Sequence, residues 1–330
     1  MHETSAPTAE IEAVSPEAIE RATVELRDHL PPSPLQYSRA LTAKAGCHVY
    51  LKIETIHPTR AFKVRGALNK LAHMRPEERA SGVVTASAGN HGQGVAYAAQ
   101  AFQVPATVYV PDNANRFKVQ AIKRMGSRVV HAGRTYAEAC AEAMRAREAS
   151  GATFVHAFDD PDVIVGQGTI AVELLEQLPS LDTVIVPVGG GGLISGIATY
   201  LKARRPTARV VGVEPAGADA MTRSLAAGRP VTLDRVDTMA DGLAADAPGD
   251  LTFRIVRTHV DHMIRVEEAE LLRAIRLLFE WEHLLAEPAG AAALAALLHR
   301  YTPEPDERVV VILSGANLTE ELMLQALRTR

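Results

Sequence analysis

The sequence predicts an α/β protein with two lobes, each built on a parallel-rich, twisted sheet flanked by helices. Short β-branched runs alternate with helical patterns along the chain, which is typical of parallel sheets covered by helices. Such strand-and-helix units occur both before and after about residue 158, which favours two lobes over one long sheet. The chain has 330 residues, of which 47% are hydrophobic, so it can bury a large core.

The predicted strands are short runs rich in valine and isoleucine. They cover residues 49–53, 83–85, 107–110, 184–188, 210–213 and 309–313, and a further strand is predicted over 128–130. Apolar residues on one face predict amphipathic helices over 136–149 and 271–279. We expect residues 1–74 and 159–330 to form a large lobe and residues 75–158 a small, mobile one. A cleft between two such lobes is the usual place for a ligand site.

The charge and cysteine content exclude several classes of protein. The formal net charge is −4, from 35 Lys and Arg against 39 Asp and Glu, so there is no basic field to attract nucleic acid. Cys47 and Cys140 have no paired spacing, so neither a disulfide framework nor a cysteine metal site is predicted. The polar opening stretch and the lack of about 18 consecutive apolar residues predict no secretory signal and no membrane span. We therefore expect a cytoplasmic protein.

The first motif, LKIETIHPTRAFKVRGA over residues 51–67, places Lys63 between a predicted strand and a helix-forming stretch. A lysine by itself is usually a solvated surface charge. A lysine that forms a Schiff base must instead be partly desolvated, so that its amine is neutral often enough to attack. The other motifs must decide between these two interpretations of Lys63.

The second motif, TASAGNHG over residues 85–92, follows a predicted strand and begins a helix. Backbone N–H groups at such a turn can hold a carboxylate close to the main chain. Asn90 could then hydrogen-bond a hydroxyl group on the ring of a bound ligand, and His91 could help to orient a substrate. The alternative is a capped loop with a buried structural histidine.

The third motif, PVGGGGL over residues 187–193, also follows a predicted strand. Four consecutive glycines can direct several N–H groups at one phosphate, to which the next helix adds its positive end. A dinucleotide site remains an alternative, because Glu214 follows the next strand at about the distance of a ribose-binding acid.

The fourth motif, VILSGAN over residues 311–317, is again a strand that runs into a turn of small residues, where Ser314 could give its hydroxyl to a buried acceptor. Alone, it could be a simple strand-end turn. However, all four motifs lie at the carboxyl ends of predicted strands, where open α/β sheets assemble their ligand sites. Their joint occurrence predicts one site in the cleft.

In this order, and over almost the whole chain, the four motifs resemble the threonine and serine dehydratase group, which includes serine racemase. That group belongs to the tryptophan-synthase-β-like (fold type II) family of pyridoxal-phosphate enzymes. The resemblance implies this fold, with the large lobe as cofactor domain and the small lobe as substrate domain. It also implies pyridoxal 5'-phosphate as cofactor, a small amino acid as substrate and a homodimer.

The resemblance further implies roles for individual residues. Lys63 would be the catalytic Schiff-base lysine, and the other cofactor-binding residues would be Phe62 beside the ring, Asn90 at the ring hydroxyl, Ser314 at the pyridine nitrogen, and Gly189, Gly190, Gly191, Gly192 and Leu193 around the phosphate. The substrate-binding residues would be Ser87, Ala88, Gly89, His91 and Arg134.

The implied activity is dehydration and deamination of a β-hydroxy-amino acid of the L-threonine or L-serine type, giving a 2-oxo acid and ammonia. A serine at the ring nitrogen, in place of a carboxylate, makes the ring a weaker electron sink and favours elimination. If Arg134 points into the cleft, its planar fork would suit a second carboxylate and thus 3-hydroxyaspartate. Less favoured alternatives are a β-replacement synthase, a two-lobed ligand-binding protein, and a racemase, which has a second serine where this chain has Ala88.

Two other departures from the family pattern are visible. Arg60 and Ala61 replace the usual Gly-Ser before Phe-Lys, so a hydroxyl near the cofactor or substrate is missing. In cation-dependent relatives a glutamate, a backbone carbonyl and an aspartate bind magnesium; here Glu214 and Ala218 are kept but Ala220 stands at the aspartate position. Because one hard oxygen ligand is lost, we predict no metal site.

Overall fold

The computed structural model describes residues 6–329 and contains two sheets. In chain order the strands are β1 (Leu35–Ser38), β2 (His48–Ile53), β3 (Val83–Ala86), β4 (Ala106–Val110), β5 (Arg128–His131), β6 (Thr153–Phe154), β7 (Thr183–Pro187), β8 (Arg209–Pro215), β9 (His262–Val266) and β10 (Arg308–Leu313).

The helices surround these strands. They are α1 (Ala6–Ala13), α2 (Pro16–Leu26), α3 (Arg39–Ala45), α4 (Lys63–Ala72), α5 (Pro76–Ser81), α6 (Asn90–Phe102), α7 (Arg116–Arg124), α8 (Tyr136–Ser150), α9 (Pro161–Gln177), α10 (Gly192–Arg204), α11 (Ala220–Ala227), α12 (Asp250–His259), α13 (Glu268–Leu277), α14 (Pro288–His299) and α15 (Glu320–Arg328). A π-helix (Leu278–Glu282) continues α13, and short 3-10 turns occur at Glu54–Ile56, Ala216–Ala218 and Asp241–Leu243.

The larger sheet has six strands in the order β1-β2-β10-β7-β8-β9. Its strands are parallel except for β1, which pairs antiparallel with β2. The smaller sheet has four parallel strands in the order β5-β4-β3-β6. Hydrophobic clusters lie on both sides of the larger sheet, as expected for parallel strands covered by helices. The predicted α/β class with two parallel-rich sheets is confirmed.

Every predicted strand is present, with ends that differ by at most two residues. Three strands of the structure were not predicted: β1, β6 and β9. The helix predicted over 271–279 is present, but it begins at Glu268 and changes to a π-helix at Leu278.

Helix α4 connects the two sheets. A buried cluster joins Val64 and Leu68 of α4 with Val95 of α6 and Val163 of α9. This core therefore contains residues from both predicted lobes, and the boundaries near residues 74 and 158 stay a prediction. Across residues 6–329, none of the helices is both long and apolar enough to cross a membrane.

The carboxyl end of β10 fixes the chain that leads into α4. Ala61 and Gly315 form an isolated antiparallel bridge. The Phe62 N–H donates to the Ser314 carbonyl at 3.0 Å, and the Ala316 N–H donates to the Arg60 carbonyl at 2.8 Å. These contacts place the start of α4 directly beside the end of the central strand.

Candidate active site

Lys63 is the first residue of α4, and its side chain is half-buried. Its Nζ donates to the carbonyl oxygen of Ala157 at 2.6 Å and lies 5.2 Å from the centre of the Phe62 ring. Burial lowers the pKa of Lys63 to about 8. The amine is therefore neutral in a sizeable fraction of molecules near pH 8, as a lysine nucleophile requires.

A cluster of buried charges holds α4 in place. The Arg65 guanidinium donates to Glu54 and Glu173 at 2.6–3.0 Å, and Lys52 donates to Glu173 at 2.6 Å. Although burial opposes ionisation, Arg65 and His57 hold the pKa of Glu54 well below its usual value. A buried pair that lost one partner would leave an uncompensated charge, so this cluster strongly constrains the helix that begins at Lys63.

The glycine turn, Gly189 to Gly192, follows β7 and leads into α10, which begins at Gly192. Gly191 has φ +97°, a conformation in which a side chain would be strained. The first amides of a helix have no partner inside that helix, so the start of α10 presents N–H groups and a positive dipole end. Leu193 is buried in the first turn of α10.

Phe158 packs against the glycine turn. A Cβ on Gly190 would overlap its aromatic ring, and a Cβ on Gly192 would lie 3.0 Å from the Phe158 backbone. Asp159 then accepts hydrogen bonds at 3.0–3.1 Å from the first amides of α12, and Thr252 of that helix donates to the Gly190 carbonyl at 2.6 Å. The packing of Phe158 and the hydrogen bond from Thr252 therefore both restrict the glycine turn.

Asn90 begins α6, but its side chain contacts two residues far along the chain: Glu287, which precedes α14, and Asn317, which follows β10. Its Nδ2 donates to Glu287 at 2.5 Å, and its Oδ1 accepts from the amide of Asn317 at 2.6 Å. Asn317 also donates to the Thr59 carbonyl at 3.0 Å. Asn90 is therefore fixed beside the segment that precedes Lys63.

Ser314 follows β10 and is buried. Its hydroxyl donates to the Ala289 carbonyl in a long hydrogen bond of 3.4 Å. Such a weak contact leaves the hydroxyl available to a better acceptor.

Ser87, Ala88 and Gly89 form the half-buried turn between β3 and α6. The Ser87 hydroxyl accepts from the Gly89 amide at 3.1 Å. His91 is buried, and its Nε2 lies 2.9 Å from the Val155 carbonyl. Burial and the nearby Lys63 lower the pKa of His91 to about 3, so this ring is neutral. The turn leads directly into Asn90 at the start of α6, and the His91 ring contacts the chain that follows β6.

Arg134 lies in the loop between β5 and α8 and is exposed. Its backbone N–H donates to Glu138, which also accepts from the Thr135 amide. The position of the guanidinium relative to a bound substrate stays a prediction.

The segment from Glu214 to Ala220, considered above for a cation, makes several hydrogen bonds. Glu214 accepts from the amides of Met221 and Thr222 at 2.8 Å and from the Thr222 hydroxyl at 2.6 Å. Asp219 accepts from Arg223 at 2.7 Å and Arg265 at 3.2 Å. Within residues 6–329, no group of three or more His, Cys, Asp or Glu side chains could hold a metal ion.

Comparison with known proteins identifies the family. The family described as pyridoxal-phosphate dependent enzymes matches residues 26–315. The chain belongs to this family. It is 44% identical to the L-threonine ammonia-lyase of Thermotoga maritima over 302 residues, which are 92% of this chain and 75% of that protein.

Two solved structures of pyridoxal-phosphate enzymes are also similar. The processed threonine deaminase isoform 2 of Solanum lycopersicum has a TM-score of 0.90 at 36% identity, with 94% of this chain and 92% of that chain covered. Maize serine racemase has a TM-score of 0.90 at 35% identity, with 94% and 96% covered. These likenesses confirm the tryptophan-synthase-β-like fold predicted from the motifs.

The geometry fits pyridoxal phosphate. The partly desolvated Lys63 amine supplies the group that the aldehyde requires, and the start of α10 supplies amides for a phosphate. Glu287, Asn317 and Phe158 also shape the site, but sequence reasoning did not assign them to it. Asn317 ends the fourth motif, but its role there was not assigned. No local pattern marks Glu287 or Phe158, because each acts on a partner that is distant along the chain.

Proposed function

We propose that this pyridoxal-phosphate enzyme dehydrates and deaminates L-threonine or L-serine to a 2-oxo acid and ammonia. The observation that carries the proposal is the Lys63 amine, which burial brings to a pKa of about 8. This amine donates to Ala157, and the next residue, Phe158, packs against the glycine turn. The similarity to the Thermotoga maritima L-threonine ammonia-lyase supports the same activity.

The cofactor would be held by residues of both sheets. Lys63 would bind it covalently, the amides from Gly189 to Leu193 would hold its phosphate, Ser314 would contact the ring nitrogen and Asn90 the ring hydroxyl. When bound, pyridoxal phosphate supplies an electron-withdrawing ring that acidifies the α-proton of an attached amino acid.

Two groups of this chain act on the substrate. The amides between Ser87 and Asn90, at the start of α6, bind the substrate carboxylate, because a helix N-terminus favours an anion. The freed Lys63 Nζ takes the α-proton, and its pKa of about 8 makes the neutral, basic form of the amine far more populated near neutral pH than it is for an ordinary lysine. Ala88 has no proton to donate, so Lys63 serves one face only, which favours elimination over racemisation.

A spectrum and a product assay test this function. The purified protein is expected to absorb near the edge of the visible range and to release a 2-oxo acid and ammonia from threonine or serine. Lys63→Ala should lose both properties. Lys70→Ala, a change on the same helix, should keep the absorbance band. A colourless, cofactor-free preparation, or a Lys63→Ala variant with full turnover, would refute the proposal.

The assembly we propose is a homodimer. Strand β1 lies at the edge of the larger sheet, and its Gln36 and Ser38 hydrogen-bond to Glu282 of the π-helix. Tyr37 and Trp281 on these two joined elements are each 41% exposed, and further exposed apolar side chains nearby in sequence are Phe279 and Leu285. Grouped exposed aromatic residues are typical of protein interfaces.

A further inference from the structure

The orientation of the Asn90 amide is determined by its two partners. The Thr59 carbonyl can only accept, so the Asn317 atom that contacts both Thr59 and Asn90 is its nitrogen. The Asn90 oxygen therefore faces Asn317 at 2.6 Å, and the Asn90 nitrogen faces Glu287 at 2.5 Å. An amide nitrogen carries two hydrogens, of which Glu287 takes one.

Glu287 itself is rigidly placed. It is the N-cap residue of α14 and is 7% exposed. Its backbone N–H donates to the Gly315 carbonyl at 3.0 Å, and a Cβ on Gly315 would overlap its carboxylate oxygen. The carboxylate is therefore enclosed between the strand-end turn and Asn90. Burial raises the pKa of Glu287, and the hydrogen bond from the Asn90 nitrogen opposes this shift because it stabilises the charged form.

We propose that Glu287 is a positioning residue that acts through Asn90, fixing its amide so that the second N–H remains directed to the ring hydroxyl of the cofactor. This inference rests on the role proposed above for Asn90. Glu287 is distant from Asn90 in the sequence. Its contact would determine whether the Asn90 side chain presents a donor or an acceptor to the cofactor ring.

Glu287→Gln tests the proposal with little change in volume. A glutamine both donates and accepts, so it no longer forces the nitrogen of Asn90 toward residue 287. We expect the visible absorbance band of the holoenzyme to shift in the same direction as in Asn90→Ala. We also expect the affinity of the apoenzyme for pyridoxal phosphate to fall about tenfold, the effect of one lost hydrogen bond.

The matched control is Glu307→Gln. Glu307 is also buried and pairs with Arg209 at 2.8 Å, but it precedes β10 at the opposite end of the strand. This variant should keep the spectrum and cofactor affinity of the unchanged protein. If both glutamine variants shift the spectrum equally, a general loss of packing explains the effect, and the proposal is overturned.

The outcomes separate this inference from the proposed function. An unchanged spectrum and affinity in Glu287→Gln, with both altered in Asn90→Ala, overturns the role of Glu287 and leaves that of Asn90 intact. If Asn90→Ala alters neither, the role of Asn90 fails and this inference with it, while the loss of the band in Lys63→Ala still tests the function. Should Glu287→Gln not fold, Glu287→Asp withdraws the carboxylate from the Asn90 nitrogen and should shift the band in the same direction; no shift overturns the proposal.

Discussion

Lys63 occupies a position that is useful for chemistry and unfavourable for a charge. Burial lowers its pKa from 10.5 to about 8. Between pH 8 and 10.5 the unfolded chain therefore binds more protons at this lysine than the folded apoenzyme does. The contribution of Lys63 is destabilising below about pH 8, and stability rises as the pH increases through this window.

Replacement of Lys63 by methionine should therefore stabilise the apoenzyme at pH 7. The gain is at most about 3 kcal/mol, and it should vanish near pH 10.5. Thermal unfolding of the apoenzyme across this range measures it. Lys70→Met should have the opposite sign at pH 7, because Asp160 and Asp162 each lie 2.9 Å from the Lys70 amine. A Lys63→Met gain that did not change with pH would exclude the charge as its cause.

Arg60 is a second residue at which the structure indicates strain, in this case in the backbone. It has φ +58°, in the left-handed region that disfavours a residue with a Cβ. Arg60→Gly should raise Tm by about 1–2 °C, because relief of the side-chain strain exceeds the added entropy of the unfolded chain. Arg60→Ala keeps a Cβ and should give no such gain. Differential scanning calorimetry of the two variants decides whether the backbone is the source.

At the scale of elements, the glycine turn and Phe158 depend on each other. Gly190→Ala should weaken cofactor binding more than tenfold, because the new methyl group overlaps the Phe158 ring and displaces the start of α10. Titration of the apoenzyme with pyridoxal phosphate measures the loss. The double variant Gly190→Ala/Phe158→Ala should recover part of the affinity, since removal of the ring makes room. No recovery would mean that another contact fixes the turn.

The strands that the sequence did not predict share a physical cause. Strand β1 is a short antiparallel edge strand with the sequence LQYS, and β6 contains only two residues. Strand β9, HMIRV, lies at the other edge and mixes charged with apolar residues. Edge strands need not be apolar on both faces, so they lack the continuous valine and isoleucine runs that identify central strands such as β10.

The candidate site likewise contains residues that a local sequence pattern identifies and residues that no such pattern identifies. The glycine turn could be predicted because its chemistry lies in consecutive residues that follow a strand. Lys63 could be assigned only from the joint occurrence of the four motifs and the family resemblance, because its own neighbours do not distinguish it from a surface lysine. The contact between Asn90 and Glu287 joins residues 197 positions apart, so no local pattern contains it. Such pairs depend on how the two sheets pack, which is a property of the whole fold.

At the scale of the whole molecule, Trp281 can report on assembly, since it is the only tryptophan in the chain. If the exposed surface around Trp281 and Tyr37 forms the dimer contact, dilution to the monomer should shift the tryptophan emission to longer wavelength. Trp281→Lys should be a monomer in sedimentation velocity, because a charge would be buried without a partner. Val24 of α2 is also an exposed apolar residue but lies on a different element from Trp281. Val24→Lys should therefore remain a dimer. A dimeric Trp281→Lys variant would place the interface elsewhere.

The stretch from β6 to α9 carries the chain out of the smaller sheet, and it passes directly beside the site. Ala157 lies in this stretch and accepts the hydrogen bond of the Lys63 amine. A rotation of one sheet relative to the other would therefore move an atom that touches the reactive nitrogen. Because the chain between the two sheets supplies the acceptor of the Lys63 amine, the relative placement of the sheets and the environment of this amine are coupled.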